Sequence, residues 1–517
     1  MAPIALPVNS YTWMFALTVG FAFLDAYAIG ANDVANSFAT SVGSRSLKLW
    51  QACCIAIFTE FLGAIRSWMF DTRQDLLMAG FMCALIGSSS WVMFATRFGW
   101  PVSTTHSIVG AIIGVGISAF GSDAVNWGWG NKGVLQIVAS WLVSPAVAGI
   151  LAVIIYGLTL YFTVTTFIVS FFVVSKNGKS TLKISADYFG APLVVTGDLT
   201  LCMAIVGGIT GFVLLFTVLF AVPYFIRRLE KEEDLKAHHI FYIFAVPTQP
   251  KNEDLERQLA LQFTPHLVED GQKEPVVLHT EKVSAVKAAG DTTDAIGIID
   301  TFKNGLRGTY ELASKGLFLD VAGIQSANAK DAHAHATLYD NKVEFLFSFL
   351  QVMTASFASF SHGSNDVANA IGPLAAVYDL WSTGKVAKNA NVQTWMLAMG
   401  GFAIDLGLAL YGWRVMINLG NNLTYHSPSR GFSMELGAAL SVITASFLAL
   451  PVSTTQCIVG ATIGVGLMNG NLKSVNWKMV SWTLFSWVLT LPIAGVSAGC
   501  LFAFVTRGPS FNAAPVA

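Results

Sequence analysis

Between Lys132 and Lys176 the chain runs for 43 residues without one charged side chain. A water-soluble core does not absorb an uncharged apolar stretch of that length, whereas a bilayer takes about 20 residues per helical crossing. Two crossings fit, with the break expected at Pro145 or near Gly157. The composition agrees: 54% of the 517 residues are apolar and 12% charged, the latter about half the share of a soluble domain. Further apolar runs fall at Tyr11–Ile29, Leu49–Ile65, Leu76–Ala95, Val102–Phe120, Leu201–Ile226, Phe345–Phe360, Val392–Leu419, Phe432–Leu450, Val452–Met468 and Met479–Val505. Leu49–Ile65 is short for a straight crossing. The pattern is that of an all-α polytopic membrane protein.

Charge divides the chain. Of its 30 basic and 31 acidic residues, 14 and 18 lie within 227–342. That insert has little apolar periodicity and reads as a hydrophilic, partly disordered central loop between membrane regions 1–226 and 343–517. Its lysines and arginines favour the cytosolic side. A net charge of −1 gives no ground for nucleic-acid binding. Cys53, Cys54, Cys83, Cys202, Cys457 and Cys500 lie in apolar sequence without metal-ligand spacing and read as packing residues. No Lys or Arg precedes the first apolar run, and that run contains Asp25, so a cleaved leader is not expected.

The two membrane regions repeat each other. GANDVAN at Gly30–Asn36 returns as GSNDVAN at Gly363–Asn369, and PVSTTHSIVGAIIGVG at Pro101–Gly116 returns at Pro451–Gly466 with 13 of 16 residues identical. VNW follows both, at Val125–Trp127 and Val475–Trp477. Preserved order marks an internal duplication, and duplicated halves are characteristic of secondary transporters, whose site lies where the repeats meet.

Each motif suggests a charge to handle. Asn32, Asp33 and Asn36 share a helix face, as do Asn365, Asp366 and Asn369. An ionised Asp in the bilayer costs about 2.5–3.5 kcal/mol or more, yet no Lys or Arg neighbours either one in the apolar sequence. Mobile cations are the simplest counter-ions, and Asp33, Asp366, Asn36 and Asn369 offer hard oxygen ligands for a small alkali ion. One continuous helix from Tyr11 to Ser41 would be about 46 Å long, so a break at Gly30 is expected, bringing the motif to mid-depth. In PVSTT, Ser103, Thr104 and Thr105 open a helix, as do Ser453, Thr454 and Thr455. Helix starts present free amides and a positive dipole end, and the hydroxyls add donors, which together suit an oxyanion. Helix capping or hydrogen-bond glue would explain a single copy of either motif; two copies of both point to transport. Cations on the carboxylates would turn a repulsive chamber attractive, so each ion would raise the other's affinity.

Asp25, Glu60, Asp405 and Glu435 are intramembrane acids on this reading, with Asp25 and Glu60 candidates for the transport pathway and Glu435 near a span end. His106 and His362 each lack a twin and read as local hydrogen-bonding residues, not proton carriers. The pairs Gly114–Gly116 and Gly464–Gly466 read as close-packing positions.

GANDVANSFATSVGSRSLK from Gly30 to Lys48, SFSHGSNDVANAIGP from Ser359 to Pro373 and the two PVSTT blocks resemble the inorganic phosphate transporter family, in particular its eukaryotic sodium-phosphate symporters of fungal type. The resemblance spares only the central loop. It implies two inverted-topology repeats with broken helices and re-entrant hairpins, about 10–12 membrane segments in all. It implies import of inorganic phosphate with sodium across the plasma membrane by alternating access, with sodium as co-transported substrate and no cofactor. Carried over residue by residue, Asn32 and Asn365 would border phosphate with Ser103–Thr105 and Ser453–Thr455, Asp33 and Asp366 would take sodium, and Glu60 matches an intramembrane Glu of the family. Pairing of two copies into a homodimer is compatible with it. The stretch after Glu60 and the loop between the fourth and fifth spans are shorter than in the family pattern. The alternatives are proton coupling, another oxyanion such as sulfate, an anion channel, or a phosphate sensor signalling through the central loop. No nucleophile triad, zinc motif or P-loop stands near the repeats, which argues against an enzyme.

Overall fold

A computed structural model describes residues 11–64, 75–129, 133–157, 215–263, 319–324, 326–384, 392–447 and 452–507. The second part of the uncharged run, Cys202 and the middle of the central loop with Asp291–Asp294 lie outside them. The described residues are nearly all helical, with two isolated bridges, Glu233 to Lys251 and Thr424 to Val475, and no strand.

In the first half α1 (Thr12–Ile29) passes through a wide π turn (Gly30–Val34) into α2 (Ala35–Gly43), followed by α3 (Leu49–Ala64), α4 (Asp75–Arg97), α5 (Thr104–Phe120) and α6 (Val134–Gly157). The central loop contributes α7 (Leu255–Phe263) and α8 (Ala327–Ala334). The second half has α9 (Asn341–Thr383), α10 (Thr394–Tyr411), α11 (Trp413–Asn421), α12 (Pro428–Phe447), α13 (Thr454–Leu467) and α14 (Trp477–Arg507). Among the described residues six helical stretches are long and apolar enough to cross a bilayer: 12–43, 77–97, 134–157, 341–383, 394–411 and 477–506. Their outer faces, with that of α3, leave Phe58, Leu142 and Phe504 more than two-thirds exposed, as a lipid-facing surface requires.

Of the two breaks expected in the uncharged run, Pro145 is not one: α6 continues through it to Gly157, where this stretch of described residues ends. One lost backbone bond is tolerated where neighbouring helices enclose the site, and here the Pro145 carbonyl lies against Gly460 of α13. α3 has 16 residues, short as expected.

The halves interlock. α5 lies along α14 and α13 along α6; α3 packs on α9 and α10 on α1. Each PVSTT helix therefore rests on the helix that follows its twin in the other half. Glycine permits the approach: a Cβ on Gly114 would stand 1.9 Å from the Gly495 carbonyl oxygen, and one on Gly464 would stand 2.8 Å from that of Gly149. The expected close-packing role thus holds for Gly114 and Gly464.

The described ends of the central loop are structured. Arg227 binds Glu233 at 2.5 Å and three carbonyls, of Ile243, Val246 and Pro247. The guanidinium holds the Glu233 carboxyl below the usual range. Lys342, at the start of α9, bridges Glu232 and Glu256 at 3.2 and 3.3 Å. Arg430 is fully buried, donates to Thr337 O and Asn469 Oδ1 at 2.6 and 2.7 Å, and lies over the rings of Tyr339 and Tyr425.

Candidate functional site

The expected break at Gly30 takes a different form in each half. In the first, the helix widens into the π turn and resumes; in the second, α9 runs uninterrupted through Gly363–Asn369. Both glycines admit a neighbouring backbone. A Cβ on Gly30 would meet the Ile404 carbonyl oxygen at 1.8 Å, and one on Gly363 would meet that of Glu60 at 2.4 Å. The glycines thus serve close approach in both copies, and only the first copy departs from α geometry, which loosens its hydrogen-bond ladder next to Asp33.

Each PVSTT turn leads into its helix through an extended serine. Ser103 Oγ accepts from His106 N at 3.2 Å and Ser453 Oγ from Gln456 N at 3.3 Å, so both serines are N-caps. The threonines that follow reach the carboxylates crosswise. Asp33 receives the amide of Thr104 at 3.2 Å and its hydroxyl, and on its other oxygen the hydroxyl of Thr455 at 2.6 Å. Asp366 receives Thr454 at 2.8 Å and Thr105 at 2.7 Å. Each acid is therefore held by one threonine of its own half and one of the other. The asparagines repeat the crossing: Asn36 Nδ2 donates to Thr455 at 2.6 Å, and Asn369 Nδ2 to Thr105 at 3.1 Å. Asn36 Oδ1 has no hydrogen-bond partner, and Asn36 borders a cavity of about 20 Å³ shared with Ser361 and Thr454.

One histidine enters the centre. His362 Nδ1 lies 2.8 Å from Glu60 Oε2, and its Nε2 lies 3.1 Å from Asp366 Oδ2, out of line for a hydrogen bond. Ser359 donates to the other oxygen of Glu60 at 2.6 Å. Asp33, His362 and Asp366 each bring one ligand atom within 4.8 Å of the others, all buried. This trio could hold a small cation. His362 is thus more than a local hydrogen-bonding residue, and the signal was its position one helical turn before Asp366.

Glu435, within α12, is fully buried. Thr40 and Ser41 donate to one of its oxygens at 2.5 Å each, Gln351 at 3.3 Å, and Thr354 donates to the other at 2.6 Å. Ser44 and Ser46 both donate to Gln351 Oε1 at 2.6 Å. A polar seam thereby leads from Asn36 along α2 to its C-terminal end.

Asn32 is spent on scaffolding. Its amide donates to Thr96 Oγ1 at 2.8 Å and Trp100 O at 3.0 Å, and its oxygen accepts from Val102 N at 3.1 Å, strapping the turn before Ser103. The Asn365 side chain lies outside the described residues. Asp25 is buried beside α4, and Asp405 is partly buried near Glu60. His106 packs against Trp141 with both ring nitrogens unpartnered.

A crossed pair of buried acids, flanked by two hydroxyl-bearing helix starts, can exchange hydroxyl donors for cations and offer the released donors to an anion. Comparison with known proteins agrees with such a use. The model of the phosphate transporter family matches residues 29–498. The chain is 35% identical to the phosphate-repressible phosphate permease pho-4 of Neurospora crassa, over 98% of this chain and 99% of that one. It is 29% identical to the sodium-dependent phosphate transporter 1 of Rattus norvegicus, over 96% of each. A solved structure titled the sodium-dependent phosphate transporter matches with a TM-score of 0.58 and 28% identity, over 96% of this chain and 99% of that one. Interlocked halves, crossed acids and a family match across both repeats lead to one conclusion: the chain belongs to the phosphate transporter family.

Proposed function

We propose that this multi-pass membrane protein is a secondary transporter that carries inorganic phosphate inward with sodium, across the plasma membrane, by alternating access. The two halves act as inverted repeats, and residues 227–342 form the cytosolic linker between them. Asp33 and Asp366 take sodium, assisted by Asn36 and Asn369. Thr104, Thr105, Thr454 and Thr455 hold phosphate with the helix starts capped by Ser103 and Ser453.

The observation that carries this reading is the crossing of hydroxyls, Thr455 to Asp33 and Thr105 to Asp366. A hydroxyl has one proton to give. While it points at a carboxylate it cannot serve an anion; when sodium takes that carboxylate oxygen, the proton is free for phosphate. Cation and anion are then coupled through the same four hydroxyls, and the coupling is reciprocal. Because each acid is held from both halves, loading either site exchanges a contact between the halves, which ties occupancy to the transition between access states.

The test is radiolabelled phosphate uptake by purified protein in liposomes, with sodium and proton gradients imposed separately. Uptake driven by sodium and abolished in Asp33→Asn and Asp366→Asn supports the assignment; accumulation unchanged by both substitutions discards it. His362, wedged between Glu60 and Asp366, favours a second reading in which a proton shares the coupling. Uptake that persists when choline replaces sodium at fixed pH would select it.

A further inference from the structure

Asp25 has no twin. The spacing that relates Asp33 to Asp366 sets Ala358 opposite Asp25, and the spacing that relates Ser103 to Ser453 sets Ala438 opposite Ser88. Ala358 and Ala438 line one cavity together with Asn36 and Thr454. The matching place in the first half lies between α1 and α4, on the flank of Asp33, and holds a carboxylate and a hydroxyl where the second half has two methyl groups.

One carboxylate oxygen and the hydroxyl there are both short of a well-formed hydrogen bond. Asp25 is 1% exposed and Ser88 is fully buried. The Ser88 hydroxyl lies beside the Asp25 carboxylate, but the two are poorly aligned: among the described residues neither Asp25 Oδ2 nor Ser88 Oγ makes a well-formed hydrogen bond. Among the described residues the charge that bears on Asp25 is Asp33, of the same sign. An unpaired carboxylate in such surroundings costs several kcal/mol. Two such oxygens set side by side are arranged as ligands are around a small cation. Carboxylate and hydroxyl oxygens are hard ligands of the kind an alkali ion takes, with water completing the shell.

We propose that Asp25 and Ser88 form a further sodium site, separate from the Asp33–Asp366 centre and filled only in the first half. It rests on the sodium-coupled reading above and adds one coupled ion to it. Sodium there would offset the repulsion between Asp25 and Asp33, so that occupancy of this site favours retention of both carboxylates in their charged form.

The experiment counts ²²Na and ³²P taken up by the same liposomes containing wild-type, Asp25→Asn or Ser88→Ala protein. Asp25→Asn is expected to lower the sodium-to-phosphate ratio by one ion and to raise half-saturating sodium about tenfold, with phosphate affinity at saturating sodium retained. Ser88→Ala, which removes one hydroxyl from a packed helix, is expected to raise half-saturating sodium in the same direction. Unchanged ratio and sodium dependence in both variants overturn the proposal, as does a ratio that falls for protons and not for sodium. A second readout needs no phosphate: the sodium-dependent rise in melting temperature of the detergent-solubilised protein should shrink in both variants. If it does not, the site is refuted. If wild-type protein shows that rise but no sodium-driven phosphate uptake, the transport reading fails while the site stands.

Discussion

Replacing Asp33 with Asn removes one charge from the crossed pair at almost constant volume. Asp33 accepts four hydrogen bonds, from the Thr104 amide, the Thr104 hydroxyl, the Thr455 hydroxyl and, at 3.5 Å, the Asn36 amide. Asn offers a single acceptor oxygen and turns an amide toward the rest, so at least one buried donor is stranded, at about 1–3 kcal/mol. The larger effect falls on the ion. A cation within about 4 Å of the lost charge forfeits ~4 kcal/mol at an effective dielectric constant of 20. At about 1.4 kcal/mol per factor of ten, sodium affinity should fall nearly a thousandfold. The assay is initial phosphate uptake against external sodium, choline replacing sodium at constant pH and clamped potential, on protein whose folding is verified by its melting temperature. Sodium-driven uptake should vanish from the accessible concentration range. A folded Asp33→Asn variant that saturates at the wild-type sodium concentration would refute the placement of sodium at Asp33 and, with it, the exchange of hydroxyls on which coupling depends.

Thr455→Val keeps shape and removes a charge-assisted donor, worth about 1.5–3 kcal/mol; its phosphate KM should rise tenfold or more at saturating sodium, and Thr105→Val should match it because the contacts are crossed equivalents. Ser453→Ala deletes an N-cap and should cost about 1 kcal/mol, read as a lower melting temperature with substrate dependence retained. Arg430→Ala removes a fully buried guanidinium with its bonds to the Thr337 carbonyl and the Asn469 side chain; a loss of about 1.5–3 kcal/mol is expected, measured as reduced thermal stability, while Arg430→Lys should recover part of it. Arg227 depresses the pKa of Glu233, so their pairing contributes stability that is full above the ordinary Glu value of about 4.3 and is lost as pH falls through the lower folded value. Hydrogen exchange at 243–249, corrected for intrinsic rate, should remain slow from neutral pH down to that value and quicken below it, and Arg227→Gln should abolish the transition.

What the sequence made legible was whatever is written twice. The motif pairs placed Asp33 beside Asp366 and both threonine pairs at helix starts, and the structure brings them together. The uncharged runs marked the long helices for the same reason that bilayers exclude charge. What escaped was written once. His362 and Glu435 have no twins, so comparison of the halves gave no reason to single them out, and only the fold sets His362 between Glu60 and Asp366 or gathers four donors around Glu435. Asn32 misled because its repetition signals importance without direction: the amide points at Thr96 and Trp100, and no pattern along the chain reveals which way a buried side chain turns. Pro145 was one of two breaks that local propensity offered, and a helix enclosed by neighbours overrides it.

The exchange of partners between the halves has a consequence for how the protein is made. α5 leaves the ribosome long before α14, on whose backbone it rests at Gly114, and α6 long before α13, which meets it at Pro145 and Gly149. Contacts separated so widely in sequence form late. The nascent first half must wait in the lipid with its glycine faces unmatched until the second half is inserted, so the two halves expressed as separate polypeptides should assemble with each other, and either one alone should be cleared by the cell's quality control.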